Sequence, residues 1–165
     1  MNVNIRPATL RDMPGILEIV NYEIVHTTAI YDYNPRNLET QVAWFEDKAA
    51  HGFPVIVADD HGYVAGFGAY GTFRVRDAYQ YTVEHSVYAA QGYQGKGIGR
   101  MLMEELIRLA RIQKMHSMIG GIDALNTGSI DFHKKFGFQE AGLIKDAGYK
   151  FDRWLDLVFM QLILE

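Results

Sequence analysis

The sequence predicts one α/β domain over residues 1–165, an α+β arrangement in which about four helices flank a twisted mixed sheet. Three observations carry that prediction. Strand-type and helix-type runs alternate as βα, α, ββ, β–loop–α, βα, ββ, with no linker, repeat or low-complexity segment between them. A strand, a glycine-rich turn and a long amphipathic helix follow one another from Val83 to Leu109. The composition, 48% hydrophobic and 22% charged over 165 residues, is that of an ordinary globular chain able to bury a sizeable core.

Taken in order, Val3–Arg6 reads as a short strand stopped at Pro7. Thr9 and Asp12 have the spacing of a reciprocal helix cap, and Met13, Ile16, Leu17, Val20 and Ile24 then share one helical face. Residues 26–37 have no periodicity and read as a loop carrying Thr27, Thr28, Tyr31 and Tyr33. Asn37 caps a second helix running to about Ala50. Pro54–Ala58 and Tyr63–Tyr70 flank the turn signal Asp59-Asp60-His61-Gly62 and form a hairpin. A charged connection, Thr72–Ala78, leads into a central strand, Tyr79–Ala89. After the glycine turn, Ile98, Leu102, Leu106 and Leu109 form the buried stripe of a long helix. A strand at Met115–Ile122 precedes a helix at Asn126–Phe136 ended by Gly137. Phe138–Ala141 begins a further strand, and Arg153–Leu164 is the last.

Composition narrows the function. A net charge of −4 argues against general nucleic-acid binding. The absence of cysteine removes disulfides, thiolate metal sites and a cysteine nucleophile. The six histidines form no ligand-spaced cluster with carboxylates, so no metal is expected. No run approaches a membrane span and the N-terminus has no apolar leader, so the expectation is a cytoplasmic protein with no membrane partner.

The turn Gln94-Gly95-Lys96-Gly97-Ile98-Gly99 is the sharpest feature. Alternate glycines let backbone amides approach a ligand, and the helix beginning near Gly97 points free N–H groups and its positive dipole end into the turn. That is a phosphate or diphosphate site. A Walker A loop is excluded because Gly97, not Ser or Thr, follows Lys96. A Rossmann fingerprint does not fit a loop past mid-chain, even with Asp123 in the chain after it. A glycine turn needed only for its shape remains the plain alternative.

With these residues in view, the chain resembles the GNAT (Gcn5-related) N-acetyltransferases over nearly its whole length. The turn is similar to that family's Gln/Arg-x-x-Gly-x-Gly/Ala signature, and Asn126-x-x-Ser129-x-x-x-His133-x-x-x-Gly137-Phe138 to its second motif. More narrowly, Val83–Tyr88, Gly148–Leu157, Thr27-Thr28-Ala29 and Phe73-Arg74-Val75-Arg76 resemble the phosphinothricin and methionine sulfoximine acetyltransferases. The resemblance implies an acetyl-CoA-dependent enzyme acting on the α-amine of a small amino-acid analogue, as a homodimer.

It also implies site residues. The amides of Gln94, Gly95, Lys96, Gly97, Ile98, Gly99 and Arg100 are expected to cradle the coenzyme A diphosphate, with Lys96 or Arg100 beside it. The backbone of Val87, Tyr88 and Ala89 is expected to pair with the pantetheine arm, and Asn126 to contact it or merely cap its helix. A protonated amine must lose a proton before it attacks a thioester, and Glu84 is the expected base, directly or through one water. Strand alternation sets Glu84, Ser86 and Tyr88 on one face and His85 on the other; a bulge would bring both to a cleft. His133 fills the position where most of the family has a tyrosine that protonates the leaving thiolate; imidazole suits either proton transfer, or simple packing. Phe73, Arg74, Val75 and Arg76, with Glu84, His85 and Ser86, are the expected substrate pocket, the arginines being suited to oxyanions. Solvated loop arginines and core aromatics are the ordinary roles of such residues. Two other readings stay open: acetylation of a protein N-terminus or other small amine, and an acyl-CoA sensor without catalysis.

Overall fold

The computed structural model describes residues 2–165. Seven strands form one sheet in the order β1-β2-β3-β4-β5-β7-β6. They are β1 Val3–Pro7, β2 Val55–Asp60, β3 Tyr63–Thr72, β4 Thr82–Ala89, β5 Ser117–Asp123, β6 Gln139–Lys150 and β7 Arg153–Ile163. The helices are α1 Met13–His26, α2 Leu38–Ala50, α3 Ile98–Ile112 and α4 Thr127–Lys134. Five of the six neighbouring pairs are antiparallel; the exception is the parallel pair β4–β5, joined by α3. This is the expected mixed sheet with four helices.

Each sheet face carries its own core. On one side α1 lays Met13, Ile16, Ile19, Val20 and Ile24 against Val55, Val57 and Phe67. On the other, α3 buries Ile98, Leu102, Met103 and Leu106 against Ala58, Ala65, Val83 and Met118. Four such fully buried aliphatic side chains contribute about 1.5–3 kcal/mol each, so α3 is fixed as a rigid body against β3 and β4. Its N-terminus, and the glycine turn before it, are therefore rigidly placed.

Local signals account for the ends of the elements. Thr9 and Asp12 form the reciprocal cap, around a short 3-10 turn at Leu10–Asp12. Asp12 also takes two bonds from Arg6, at 2.8 and 2.9 Å, which hold its carboxyl below the usual range. Asn37 caps α2 by accepting from the Thr40 amide at 2.8 Å. Gly97, at φ 84°, is the left-handed residue from which α3 starts.

Several boundaries differ from the sequence reading. Pro7 pairs with Ile56 rather than ending β1 before it; an edge strand tolerates a missing N–H. Tyr79 closes a 3-10 turn at Asp77–Tyr79, so the central strand starts at Thr82. The α4 helix stops at Lys134, and residues 135–137 turn towards β6. Strand β6 continues well past Ala141, because bulges between Glu140 and Gly142 and between Ile144 and Gly148 absorb its irregular residues. No described helix is long and apolar enough to cross a membrane.

Candidate active site

Strand β4 pairs with β3 along its whole length, from Thr72↔Val83 to Gly66↔Ala89, without a register shift. With β5 it pairs only at Thr82, Val83 and Glu84. The expected bulge is therefore not what opens the strand. The two parallel strands part after Glu84, and the gap gives access to both faces of β4 at once. Two glycines of β5, Gly120 and Gly121, border the gap. A Cβ on Gly120 would lie 2.8 Å from His85 Cε1 and 3.1 Å from His133 Nε2; one on Gly121 would lie 3.5 Å from Glu84 Oε1.

Two connected cavities meet at this gap. The larger, about 1010 Å³, runs between β4, the start of α3 and α4. Val87, Ala89, Gln94, Gly95, Gly97, Ile98, Gly99, Arg100 and Asn126 all line it. Gly95 and Gly97 are at φ 72° and 84° with nothing within 4 Å of where a Cβ would stand, so amides rather than side chains face the groove. Gly99 instead serves packing: its Cβ would touch Phe132 at 3.4 Å. Of the expected cations, Lys96 lies over the Tyr93 ring at 5.1 Å and Arg100 pairs with Glu104 at 2.8 Å. Lys135, which sequence reasoning did not single out, lines the groove and supplies a further positive charge, and Tyr93, Phe132 and Phe136 form its aromatic walls. Its position in the second motif, two residues after His133, was the available signal.

The smaller cavity, about 330 Å³, shares Val87, Ala89, Gln94, Asn126 and Phe132 with the first. It brings together Glu84, His85, Ser86, Tyr88 and His133, with Glu23 at its rim. Glu84 is open to the cleft's solvent yet crowded by protein; that crowding raises its carboxyl above the usual range, while Lys48 works to lower it. Tyr88 turns towards Phe67 on the α1–α2 side, and burial raises its phenol. Asn126 does cap α4, accepting from the Ser129 amide at 3.1 Å, and still lines both cavities.

On the opposite face of β4, His85 and His133 form a buried pair. Their Nε2 atoms are 3.0 Å apart; His85 Nδ1 faces the Ile119 carbonyl at 3.0 Å and His133 Nδ1 the Ser129 carbonyl at 2.7 Å. Each contact calls for one proton, and two neutral imidazoles carry two. Burial lowers both rings, and the charge of His133 lowers His85 further, so the pair does not take two extra protons. Phe132 and Phe138 pack edge-on around His133. Both nitrogens of His133 are thus engaged, a restriction that the motif alone does not disclose.

The expected pocket residues divide. Phe73 is half-buried against Tyr79 and Phe159. Arg74, Val75 and Arg76 lie on the exposed loop after β3, outside both cavities; Val75 is 91% exposed and Arg74 rests on the Phe73 ring. A different segment closes the cleft. Loop residues 27–36 dock on the β6–β7 turn through Tyr31 against Gly148, Tyr33 Oη donating to the Tyr149 carbonyl, and Lys150 Nζ donating to the Ile30 carbonyl at 2.6 Å. Thr28 and Arg153 both donate to Asp123, at 2.6 and 2.8 Å; those bonds outweigh burial and keep its carboxyl low. The segment Gly148–Arg153 therefore has a structural task as the clamp of this loop. Among the described residues, no three His, Asp or Glu side chains gather as metal ligands would.

Comparison with known proteins identifies the family to which this fold belongs. The model of the acetyltransferase (GNAT) family matches residues 19–138. The L-methionine sulfoximine/L-methionine sulfone acetyltransferase of Pseudomonas aeruginosa is 43% identical, over 100% of this chain and 96% of its own. The structure of a ribosomal-protein-alanine N-acetyltransferase from Brucella melitensis is 45% identical with a TM-score of 0.96, covering 98% of this chain and 99% of that one. A phosphinothricin acetyltransferase from Sinorhizobium meliloti, solved in complex with acetyl-CoA, is 34% identical with a TM-score of 0.95, covering 99% and 89%.

Proposed function

The chain belongs to the GNAT acetyltransferase family and is an N-acetyltransferase, and from that premise we propose that it acetylates the α-amine of a small amino-acid analogue such as methionine sulfone, methionine sulfoximine or phosphinothricin. The observation that carries this reading is the junction of the two cavities. A long groove with main-chain amides at one end opens into a cleft of about 330 Å³, large enough for a small amino acid, with an ionisable carboxyl inside it.

Acetyl-CoA fits the groove and would supply the activated acetyl group. Free amides at the start of α3, with Gly95 and Gly97 open beside them, suit its diphosphate. The edge of β4 left without a β5 partner after Glu84 offers backbone groups to a pantetheine arm and to negative charge developing at the acetyl oxygen. Glu84 takes a proton from the amine, directly or through water. The His85–His133 pair lies across the strand, on the side away from Glu84. The three contacts of the histidine pair call for three protons and two neutral imidazoles hold two, so His133 gives the thiolate a proton from Nε2 when the pair carries one extra proton between its Nε2 atoms, and that proton is then restored from solvent.

We further propose a homodimer. Strand β6 lies at a sheet edge with eleven of its twelve residues exposed or half-buried, and Leu143, Ile144 and Trp154 form an apolar surface there. A long open edge of this kind invites pairing with a second copy. Sedimentation velocity reads this directly: a monomer at micromolar concentration removes it.

The activity is tested by thiol release from acetyl-CoA over a panel of amino-acid analogues and a peptide bearing N-terminal alanine. The reading predicts turnover on methionine sulfone and related analogues well above that on the peptide. Preference for the peptide would instead transfer the chain to the activity named for its Brucella relative.

A further inference from the structure

Lys48 is the one site-facing cation that the reading above leaves without a task. It is half-buried on α2, and among the described residues its Nζ makes no hydrogen bond or ion pair. The ammonium lies 6.0 Å from the Trp44 ring and 5.8 Å from the Phe53 ring, and burial lowers its affinity for a proton. An unpaired ammonium removed from water is costly unless a charge nearby offsets it.

The position of its tip identifies that charge. A Cβ on Gly71 would lie 2.2 Å from Lys48 Nζ, with Lys48 Cε and Cδ the next nearest atoms. The ammonium thus occupies the space where a Gly71 side chain would stand. Gly71 is the residue directly across from Glu84 in the β3–β4 register. Opposed residues on an antiparallel pair share a face, with Cβ atoms about 5 Å apart. Gly71 therefore reads as a vacancy kept for the lysine tip, beside the carboxyl.

We propose that Lys48 is a positioning residue for the acetyl transfer: its ammonium, seated over Gly71, holds Glu84 in the carboxylate form that accepts a proton. The proposal rests on the reading of Glu84 as the base. The other charged or titratable groups near this face are Glu23 from α1, Arg36 from the loop before α2, Tyr88 on β4 itself and Asp47 beside Lys48. β5 turns Ile119, Gly121 and Asp123 to this side, and the Asp123 carboxylate is taken up by Thr28 and Arg153. Arg36 is taken up by Asp32 at 2.9 Å, which leaves Lys48 as the cation acting on Glu84.

The direction of the effect follows. Crowding disfavours the charged carboxylate and Lys48 favours it, so loss or displacement of the ammonium raises the pH at which Glu84 ionises. The carboxylate is then missing from a wider acidic range. Two variants act by different routes. Lys48→Met removes the charge and keeps the length. Gly71→Ala keeps the charge and moves it, because the three atoms nearest the new methyl all belong to the flexible Lys48 side chain.

The test is a carbon-13 NMR titration of the Glu84 carboxyl in the ligand-free protein, beside the pH profile of kcat/KM. The expected result is a Glu84 midpoint higher by about one pH unit in both Lys48→Met and Gly71→Ala, the shift of a single charge at this range. The acidic limb of kcat/KM moves with it, and Lys48→Arg restores both. A midpoint unmoved in folded Lys48→Met and Gly71→Ala overturns the proposal. Full turnover by Glu84→Gln would overturn the reading of the base instead, and leaves the NMR result to stand by itself.

Discussion

At the α3 end the groove is lined by one short stretch of chain, Gln94, Gly95 and the run from Gly97 to Arg100, whose polar groups are chiefly main-chain amides. In the adjoining cleft, Glu84 and His85 come from β4 and His133 from α4, while Gly71, Gly120 and Lys48 shape their surroundings from three further elements. The first region is local and built from backbone; the second is assembled across the fold and built from side chains. The difference has an energetic side. Amides at a helix start are in place once α3 is packed, so binding there needs no ionisation state to be set. The proposed mechanism needs a carboxylate kept charged on one face of β4 and an imidazole pair kept short of double charge on the other. Small displacements therefore matter more in the cleft.

The comparison breaks most visibly at Glu84. Glu84→Gln removes the proposed proton acceptor and keeps the shape, and kcat is expected to fall by roughly 10²- to 10⁴-fold. Acetyl-CoA affinity by calorimetry stays within about twofold, because the groove does not use that side chain. The converse is Gly97→Val. A β-branched residue at φ 84° costs about 1–3 kcal/mol of strain and disturbs the start of α3, so acetyl-CoA affinity drops by about 10- to 100-fold. Turnover at saturating cofactor changes far less. Equal losses of affinity and turnover in either variant would mean that the two regions are not separable.

Gly120→Ala sharpens the account of the cleft. Its methyl would stand 2.8 Å from His85 and 3.1 Å from His133, and neither ring can retreat from its carbonyl without losing a bond. A kcat about tenfold lower is expected, in line with about 1–3 kcal/mol for overpacking, with KM for acetyl-CoA little changed. The smallest effect is expected at Lys135. Lys135→Ala removes an exposed cation from the groove wall, raising KM for acetyl-CoA about threefold at low salt and less at high salt, where screening is stronger.

The same contrast explains what the sequence discloses. The glycine turn is legible because its chemistry depends on three glycines and a helix start within six residues. The helix stripes of α1 and α3, the Thr9–Asp12 cap and the Asn37 cap are legible for the same local reason. Glu84 and His133 are reached only through a family resemblance, since a glutamate on a strand and a histidine on a helix have commoner explanations. Lys48 and Gly71 are invisible in the sequence: their meeting depends on how α2 crosses the sheet and on the register that sets Gly71 against Glu84. The opening of β4 by divergence from β5, rather than by a bulge, likewise depends on a pairing that ends at Ile119. The length of strand β6 past Ala141 is not legible either, because it depends on bulges that absorb its irregular residues.

Amide chemical shifts followed during a titration with coenzyme A test the central claim most directly. The account predicts the largest perturbations at Gly95, Gly97, Ile98 and Gly99, a second set at Val87 to Ala89, and little change on β6. Saturable binding with those amides unmoved, and perturbations gathered elsewhere on the molecule, would contradict it.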